Sequence, residues 1–435
     1  MSLRTCTLLL SLMALAGPAW AQEAIVEGPG YQVTEGTVIH PSLGIGTGLI
    51  YNPYYESSDA TATPVLRLRG AFAMANQGNR PRGELRLLQD DSEPGASSAP
   101  GLDFRLGGVV DYQWWTSAAG PGTRHQISGG LDLHLMTAPQ GVTSFFIDNN
   151  LMRVTDPPNF ESYGRNLNRV INRLKTGLQV RPGGGAFRFA GQYENTVDYF
   201  ESGASDFANR IHHLVRGRAE WQFLPITRFY LDASLGYFVA AGGACELVKN
   251  ESRPLRVELG SSTAFTERTS LRVHLGAGRG FYRERAECSG GVRVPATDFT
   301  SPLFRNWVGL LAGAELSYRY SPLGRVSVTY EHDFEDSVQA NFYRDHALGG
   351  RIIHQLDRVL VHTGADIRLR GYRGVPPGLT GGSSMDYDSA ILRLFGKGYY
   401  PYRDWLGFVG DVSLESDSSA GYTRLGLQLS AVAAF

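Results

Sequence analysis

The sequence has few cysteines, few charged residues and no long apolar run beyond its first residues. Of the 435 residues, only three are Cys and 19% are charged. The formal net charge is −1, which gives no reason to expect a nucleic-acid partner. After residue 21, no segment approaches the roughly 18 uninterrupted apolar residues that a membrane-spanning helix needs. If the chain crosses a membrane, it must therefore do so with strands.

The first residues have the pattern of an export signal. Arg4 precedes the apolar run "LLLSLMALA", and "AWA" provides a small-x-small cleavage site before Gln22. We therefore predict a signal peptide over 1–21, followed by a periplasmic N-terminal segment over 22–42. The mature chain keeps only Cys245 and Cys288, which disfavours the redox chemistry of cytosolic proteins.

The composition is rich in residues that build turns and strands, with 53 Gly, 21 Tyr and 21 Phe. In "LDFRLGGVVDYQWW", apolar and polar residues alternate, so that Phe104 and Leu106 share one face and Asp103 and Arg105 the other. "AFRFAGQYENTVDYF" and "VLVHTGADIRLR" repeat this period of two, which is typical of strands. A soluble sandwich and a membrane barrel both fit the period alone.

Three further features favour the barrel. About eighteen such segments occur, most of about 12 to 15 residues, which is longer than ordinary globular strands and sufficient to cross a bilayer at a tilt. Their connections alternate between tight turns and longer loops, as in outer-membrane barrels. We therefore predict an all-β fold, a transmembrane antiparallel β-barrel of about 18 strands over 43–435. The turns are then periplasmic and the longer loops extracellular, with one long periplasmic insertion at 76–100.

The last segment, "GYTRLGLQLSAVAAF", is predicted to close the barrel by pairing with the first and the seventeenth strands. Its apolar face would meet lipid, and Phe435 would lie in the periplasmic aromatic belt. Other aromatic residues are expected in the two belts, namely Trp221, Phe223, Tyr318, Tyr320 and Tyr400 near turns and Trp114, Tyr199 and Tyr51 near loops.

About eighteen strands enclose an aqueous lumen, and its walls are predicted from the alternation. The candidates for the substrate path are Arg67, Arg69, Arg105, Arg173, Lys175, Arg188, Arg216, Arg218, Arg256, Arg272, Arg319, Arg368, Arg370, Arg393, Trp115, Tyr230 and Tyr282. The cations either pair with acidic residues on neighbouring strands or face an anionic or hydroxyl-rich solute. The aromatic rings could stack on sugars.

Two further features allow alternatives. Cys245 and Cys288 fall in the loops after the ninth and eleventh strands, where they form one disulfide between loops or remain free or intermolecular thiols. The long periplasmic insertion carries Arg80, Arg82, Glu84 and Arg86, which could dock an inner partner or enter the pore. Its Pro, Gly, Ser and acidic content also fits a partly ordered loop.

The sequence contains no G-x-S-x-G, no H-E-x-x-H and no phosphate loop at a strand-to-helix turn. His134, His212, His274 and His362 are scattered over separate strands. We therefore predict no enzymatic activity, no catalytic residues, no metal and no cofactor. A plugged TonB-dependent importer is disfavoured, because too few residues precede the first strand for a plug.

The stretches "LGIGTGLIYNPYYES", "NRLKTGLQVRPGGGAFRFAGQYENTVDYFES" and "DFEDSVQANFYRDHALGGRIIHQLDRVLVHTGADIRLR" resemble the β-barrel porin type 2 family (Wzp-like barrels). The resemblance implies an outer-membrane conduit for an exopolysaccharide, working with a periplasmic Wza-like polysaccharide export protein. It also implies contact with lipopolysaccharide and folding by the barrel-assembly machinery. The alternatives are a general diffusion porin for small solutes or sugars, and a structural outer-membrane barrel.

Overall fold

The computed structural model of the chain describes residues 28–34, 36–58, 60–76, 101–116, 125–156, 161, 168–203, 205–241, 251–282, 286–289, 292–295, 306–338, 340–374 and 386–435. Strands make up nearly all of the regular structure, and two short 3-10 helices lie at Gly183–Gly185 and Asp206–Ala208. Within these ranges, no helix is long and apolar enough to cross a membrane.

Eighteen strands form one antiparallel barrel. The first nine are β2 (Thr37–Tyr51), β3 (Ala62–Asn76), β4 (Leu102–Trp115), β5 (His125–Thr137), β6 (Thr143–Val154), β7 (Arg169–Val180), β8 (Phe187–Phe200), β9 (Arg210–Leu224) and β10 (Thr227–Ala240). The other nine are β11 (Ser252–Ala264), β12 (Thr269–Tyr282), β15 (Val308–Ser321), β16 (Gly324–Asp336), β17 (Phe342–Leu356), β18 (Val359–Arg373), β19 (Asp386–Arg403), β20 (Leu406–Asp417) and β21 (Tyr422–Ala434). Each pairs with its sequence neighbours, so the predicted fold class and strand number are confirmed.

The last strand closes the sheet, as predicted. Strand β21 pairs with β2 from Ser42↔Ala434 to Tyr51↔Leu425, and with β20 from Leu406↔Ala433 onwards. The backbone N–H of Phe435 donates to the carbonyl of Pro41 at 2.9 Å. The chain end is therefore held on both sides, because a closed sheet leaves no free edge.

Three short strands lie outside the eighteen. Strand β1 (Tyr31–Thr34) folds back on β2, which begins at Thr37 rather than near residue 43, where the barrel was predicted to start. Strands β13 (Ala286–Ser289) and β14 (Val292–Pro295) form a separate hairpin in the connection between β12 and β15.

The connections sort by length between the two ends of the barrel. At the turn end, where the C-terminus lies, two-residue connections at 225–226, 322–323, 357–358 and 404–405 join neighbouring strands. The exceptions are 77–101 at the turn end, which overlaps the long insertion predicted at 76–100, and the short connections 337–341 and 418–421 at the opposite end. The opposite end, called the mouth here, has longer connections such as 52–61, 155–168 and 374–385. This separation agrees with the sequence pattern.

The outward face of the barrel is a band of exposed apolar side chains. Leu259, Leu275 and Leu429 are 63%, 61% and 60% exposed in the middle of their strands. Most of the predicted belt aromatics are between 39% and 55% exposed, namely Trp221, Phe223, Tyr318, Tyr320, Trp114, Tyr199 and Tyr51. Tyr400 differs, since its side chain is half-buried. Exposed leucines around a whole barrel are unfavourable in water, so this surface is built for lipid.

Candidate functional site

The inward face carries the charged side chains because alternation directs every second residue into the lumen. The clearest case is the wall formed by β7 to β10, called the basic wall here. Its strands contain eight cations, Arg169, Arg173, Lys175, Arg188, Arg210, Arg216, Arg218 and Arg228, and four carboxylates, Glu194, Asp198, Glu220 and Asp232. The basic wall therefore carries a surplus of four positive charges.

Cations of the basic wall share carboxylates. The carboxylate of Glu194 lies 3.4 Å from both Arg173 Nε and Lys175 Nζ. The carboxylate of Asp198 lies 3.2 Å from Arg169 Nε and 3.0 Å from Arg210 Nη2. Within these four strands, two cations therefore meet one carboxylate in each case, so each group keeps one positive charge in excess.

A second cluster lies on the same wall. Glu220 accepts from Arg188 Nη2 at 2.6 Å and lies 3.0 Å from Arg218 Nε. Asp232 accepts from Arg216 Nε at 2.7 Å, and the guanidinium of Arg218 stacks 4.1 Å above the ring centre of Tyr230. The cations are thus held in fixed positions along the lumen.

The other predicted lumen cations also lie on the inward face. Those with carboxylate partners are Arg67 and Arg69 with Asp111, Arg256 with Asp333, Arg272 with Glu315, and Arg368 and Arg370 with Asp345. Arg105 is exposed, Arg393 lies over the ring of Phe395, and Arg319 lies near the turn end of β15. The structure therefore shows that lumen charges pair across strands and that the basic wall keeps a positive surplus, whereas contact of these cations with a solute stays a prediction.

Strand β16 has the opposite charge balance. It carries Glu331, Asp333, Glu335 and Asp336 against the single cation Arg325. In the order of the barrel, β16 lies four to seven strands beyond the strands of the basic wall. An ion in the lumen therefore meets a positive wall on one side and a negative strand on another.

Two of the predicted stacking aromatics are covered by other side chains. Trp115 is 6% exposed and packs with Ile50, Val65 and Tyr54. The ring of Tyr230 is 8% exposed beneath Arg218. Both line the lumen wall without offering a free ring face. The side chain of Tyr282 lies outside the described residues.

Connections from opposite sides of the barrel meet at the mouth. Glu161, between β6 and β7, is 2% exposed, and its carboxylate accepts from the backbone N–H of Val338 at 3.0 Å and from the hydroxyl of Ser337. Ser337 and Val338 lie between β16 and β17, eight strands further round the barrel. The side chain of Val338 also packs with Phe200, Phe207 and Ala208. We call these contacts the mouth contact.

A second contact lies beside it. Tyr55, between β2 and β3, donates from its hydroxyl to Asp156 at 3.1 Å and accepts from Arg424 Nη1 at 2.7 Å. Burial raises the pKa of Tyr55 well above its usual range, so this hydroxyl remains protonated and able to donate. The connection after β6 is thereby fixed at Asp156 as well as at Glu161.

Sequence reasoning did not identify the mouth contact. Glu161 lies in the polar stretch "DPPNFESYGRNLN", where nothing local distinguishes it from a solvated loop residue. A signal exists only for the neighbouring packing of Trp307, because the glycine alternation in "HLGAGRGFY" leaves the mouth half of the inward face of β12 without side chains. Such a bare surface indicates that bulky groups from elsewhere pack over it.

Several predictions fall outside the described residues. These are the signal peptide, the insertion residues Arg80, Arg82, Glu84 and Arg86, and Cys245; Cys288 lies in β13, but its side chain is not described. The disulfide therefore remains a prediction. Within the described part of the chain, no group of three or more His, Cys, Asp or Glu residues could hold a metal ion.

Removing the surplus charge of the basic wall should change ion selectivity. In Arg173→Gln/Lys175→Gln, Glu194 loses both cations, so we expect the reversal potential in a salt gradient to shift toward cation preference. Single-channel recording in planar bilayers measures this shift. The control is Arg253→Gln/Arg344→Gln, which removes two exposed arginines from outward positions. An equal shift in both variants would contradict the assignment of the basic wall to the ion path.

Comparisons with known proteins found similar solved structures. Pseudomonas aeruginosa OccK2 (OpdF) is 11% identical with a TM-score of 0.46, and the match covers 91% of this chain and 97% of that chain. Pseudomonas aeruginosa OpdL is 10% identical with a TM-score of 0.44, and the match covers 92% of this chain and 98% of that chain. The siderophore receptor PirA from Pseudomonas aeruginosa is 9% identical with a TM-score of 0.42, and the match covers 93% of this chain and 81% of that chain. No protein-family model matches the chain, and no curated protein matches it.

The architecture of the chain is defined by its own strands and side chains. Eighteen strands close into a cylinder with an apolar outer band and a charged inner face. The wall carries fixed charges of both signs, and its mouth is crossed by connections from opposite sides. The chain is a β-barrel with the architecture of an outer-membrane pore.

Proposed function

We propose that this chain is a bacterial outer-membrane channel for small polar solutes, with a preference for anions. The observation that carries the proposal is the surplus of four positive charges on the basic wall. Because the cations share carboxylates within these four strands, an anion entering the lumen can interact with clusters of cations that keep one positive charge in excess.

The mouth contact supports a small solute. Glu161 and Val338 join connections that are eight strands apart, so the mouth is divided rather than open across its full width. A channel divided in this way selects by size and by charge, because solutes pass close to fixed side chains. The same contact is unfavourable for a thick polymer.

Vesicle swelling tests the proposal directly. Purified protein in lipid vesicles should admit small sugar acids faster than neutral sugars of the same size, and should exclude oligosaccharides. The preference for acids should fall in Arg173→Gln/Lys175→Gln, whereas Arg253→Gln/Arg344→Gln should keep it. Equal entry of acids and neutral sugars would contradict the anion preference, and no entry of any solute would contradict the channel.

Export of an exopolysaccharide with a Wza-like partner stays a prediction from the sequence resemblance. Its support is the resemblance of three stretches, and the residues predicted to dock the partner lie outside the described part of the chain. Deletion of the gene followed by measurement of surface and periplasmic polysaccharide separates the two functions. The small-solute channel predicts normal surface polymer, whereas the exporter predicts polymer retained in the periplasm.

The proposed location follows from the same features. The export signal directs the chain out of the cytoplasm, and the apolar outer band requires lipid. In this orientation the turn end faces the periplasm and the mouth faces the cell exterior, with lipopolysaccharide and the barrel-assembly machinery as proposed partners.

A further inference from the structure

Among the described residues, the pairing of β15 with β16 stops short of the mouth end of both strands. Their pairing runs toward the mouth as far as Ala312↔His332 and then stops, although both strands continue for four more residues. Residues 308–311 of β15 remain paired with β12, and residues 333–336 of β16 remain paired with β17. Both segments are still strands where they stop pairing with each other, so the missing pairs are not due to the start of a loop. We call this break in the pairing the seam.

At the seam, side chains rather than β15 bond the mouth end of β16. Arg256 of β11 donates from Nη1 to Asp333 at 2.7 Å and from Nη2 to the carbonyl of Phe334. The N–H of Phe334 donates to the carboxylate of Asp333 at 2.5 Å. Side chains thus satisfy the backbone groups of Phe334 that no longer pair with β15.

Glycines on β12 and β15 leave room for the rings of Trp307 and Phe334 on the lumen side of the wall. Side chains added at Gly278 and Gly280 of β12 would collide with the ring of Trp307, and one added at Gly309 of β15 would collide with Phe334. The inward faces of β12 and β15 are therefore occupied by aromatic rings instead of their own side chains. This packing explains how Arg256 reaches past two strands to β16.

Phe334 lies in the seam. The alternation of β16, with Val328 and Tyr330 exposed, would direct Phe334 outward, yet it is 7% exposed and stacks on Trp307 with ring centres 4.9 Å apart. Trp307, Leu311, Phe334 and Phe342 form one buried apolar cluster. The inner side of the seam is therefore apolar.

The outer side of the seam is apolar as well. Val308 and Leu310, on the unpaired edge of β15, are 68% and 65% exposed and project toward lipid. Apolar side chains thus continue from the outer band, through the unpaired edge, to Trp307 and Phe334. The seam lies next to the mouth contact, because Ser337 and Val338 directly follow Asp336.

We propose that the seam is a lateral opening that binds an uncharged, apolar molecule and connects the lumen with the outer leaflet of the membrane. Hydrocarbon fits the apolar lining, and the carboxylates of Asp333 and Glu335 on either side of Phe334 disfavour an anionic ligand. This function goes beyond the passage of polar solutes through the lumen, since it uses a different route and a different chemical class.

Photolabelling tests the opening. A neutral alkyl diazirine is added to the protein in lipid vesicles, and labelled residues are mapped by mass spectrometry. We expect label on the inner residues Trp307 and Leu311, which are 3% and 2% exposed, as well as on outward Val308. Label on outward residues alone would overturn the proposal.

A disulfide across the seam provides the matched comparison. Continuing the register of β15 and β16 places Leu310 opposite Phe334. Because the side chain at 334 is turned inward, the disulfide of Leu310→Cys/Phe334→Cys forms only when β16 moves back into register with β15, so oxidation should lock the seam closed. Inner labelling should be lost on oxidation and return on reduction. The control, Leu316→Cys/Val328→Cys, joins an outward pair of the same strands where they are already paired, and should leave inner labelling unchanged. Inner labelling that persists in the oxidised seam variant would overturn the proposal.

The variant Phe334→Ala tests the lateral opening independently of the seam disulfide, in case that disulfide does not form. Removing the ring widens the seam, so inner labelling should increase at least about two-fold, whereas Tyr330→Ala, at an outward position of the same strand, should not change it. An unchanged yield in Phe334→Ala would contradict the opening. Ion selectivity measured on the same vesicles reports the polar channel separately, so failure of one proposal is distinguishable from failure of the other.

Discussion

Replacing Glu161 by alanine should open the mouth and raise single-channel conductance about two-fold or more, because selectivity and flow depend on the narrowest part of a pore. The carboxylate of Glu161 holds Ser337 and Val338 from across the barrel, and it is 2% exposed. Hydrogen bonds to a charged group contribute about 1.5–3 kcal/mol each, so their loss releases the connection after β16. Planar bilayer recording of the purified protein measures the conductance.

Two variants control this result. Glu161→Gln keeps one carbonyl oxygen that can accept from Val338, so its conductance should rise less than that of Glu161→Ala. Glu201→Ala removes a carboxylate at the mouth that pairs instead with Arg153, both side chains being about one-third exposed, and should leave conductance unchanged. If Glu161→Ala conducts like the unaltered protein, the mouth contact does not limit flow.

The strands could be predicted because their signal is local. The period of two appears within each stretch of about a dozen residues, and it directs Leu427 outward and Gln428 inward whatever the neighbouring strands are. Closure could also be predicted, because an alternating final strand needs a partner on each edge. The start of β2 at Thr37 could not be predicted because "TVIHP" contains Pro41, which weakens a strand signal. Pro41 is tolerated here because it precedes Ser42, where the pairing with β21 begins.

The mouth could not be predicted because its contacts are long-range. The bond between Glu161 and Val338 joins residues 177 positions apart. Its formation depends on the positions of β6, β7, β16 and β17 around the barrel, and the strand count alone does not show that the connections fold inward. Phe334 illustrates the same limit, since the alternation of β16 predicts an outward side chain, whereas the ring is buried against Trp307.

The sequence predicted which charged residues face the lumen, but it did not predict which of them pair with each other. Alternation identifies Arg173 and Lys175 as inward, yet only the register of β7 with β8 places both beside Glu194. The sharing of one carboxylate by two cations is what leaves the wall positive. The sequence alone was compatible with a neutralised lumen and with a basic lumen. The register shows that the basic wall has both paired charges and a positive surplus.

A charged residue on the outer band should cost far more stability than the same residue in the lumen. Leu427 lies near the middle of β21 and is 51% exposed on the outward face. In Leu427→Arg, the guanidinium enters the hydrocarbon region, and we expect a loss of about 2–4 kcal/mol in the free energy of unfolding from lipid vesicles. Denaturant titration followed by Trp fluorescence measures this loss.

The matched control is Ser413→Arg on β20. Ser413 is adjacent to Val412, which pairs with Leu427, so the two sites lie at the same height, but Ser413 faces the lumen. There the guanidinium meets water and lumen carboxylates, and the loss should stay below about 1 kcal/mol. In a water-soluble barrel the order would reverse, because arginine at exposed Leu427 would be harmless and arginine at half-buried Ser413 would be costly. The sign of the difference between the two variants therefore decides whether the apolar face of the barrel contacts lipid.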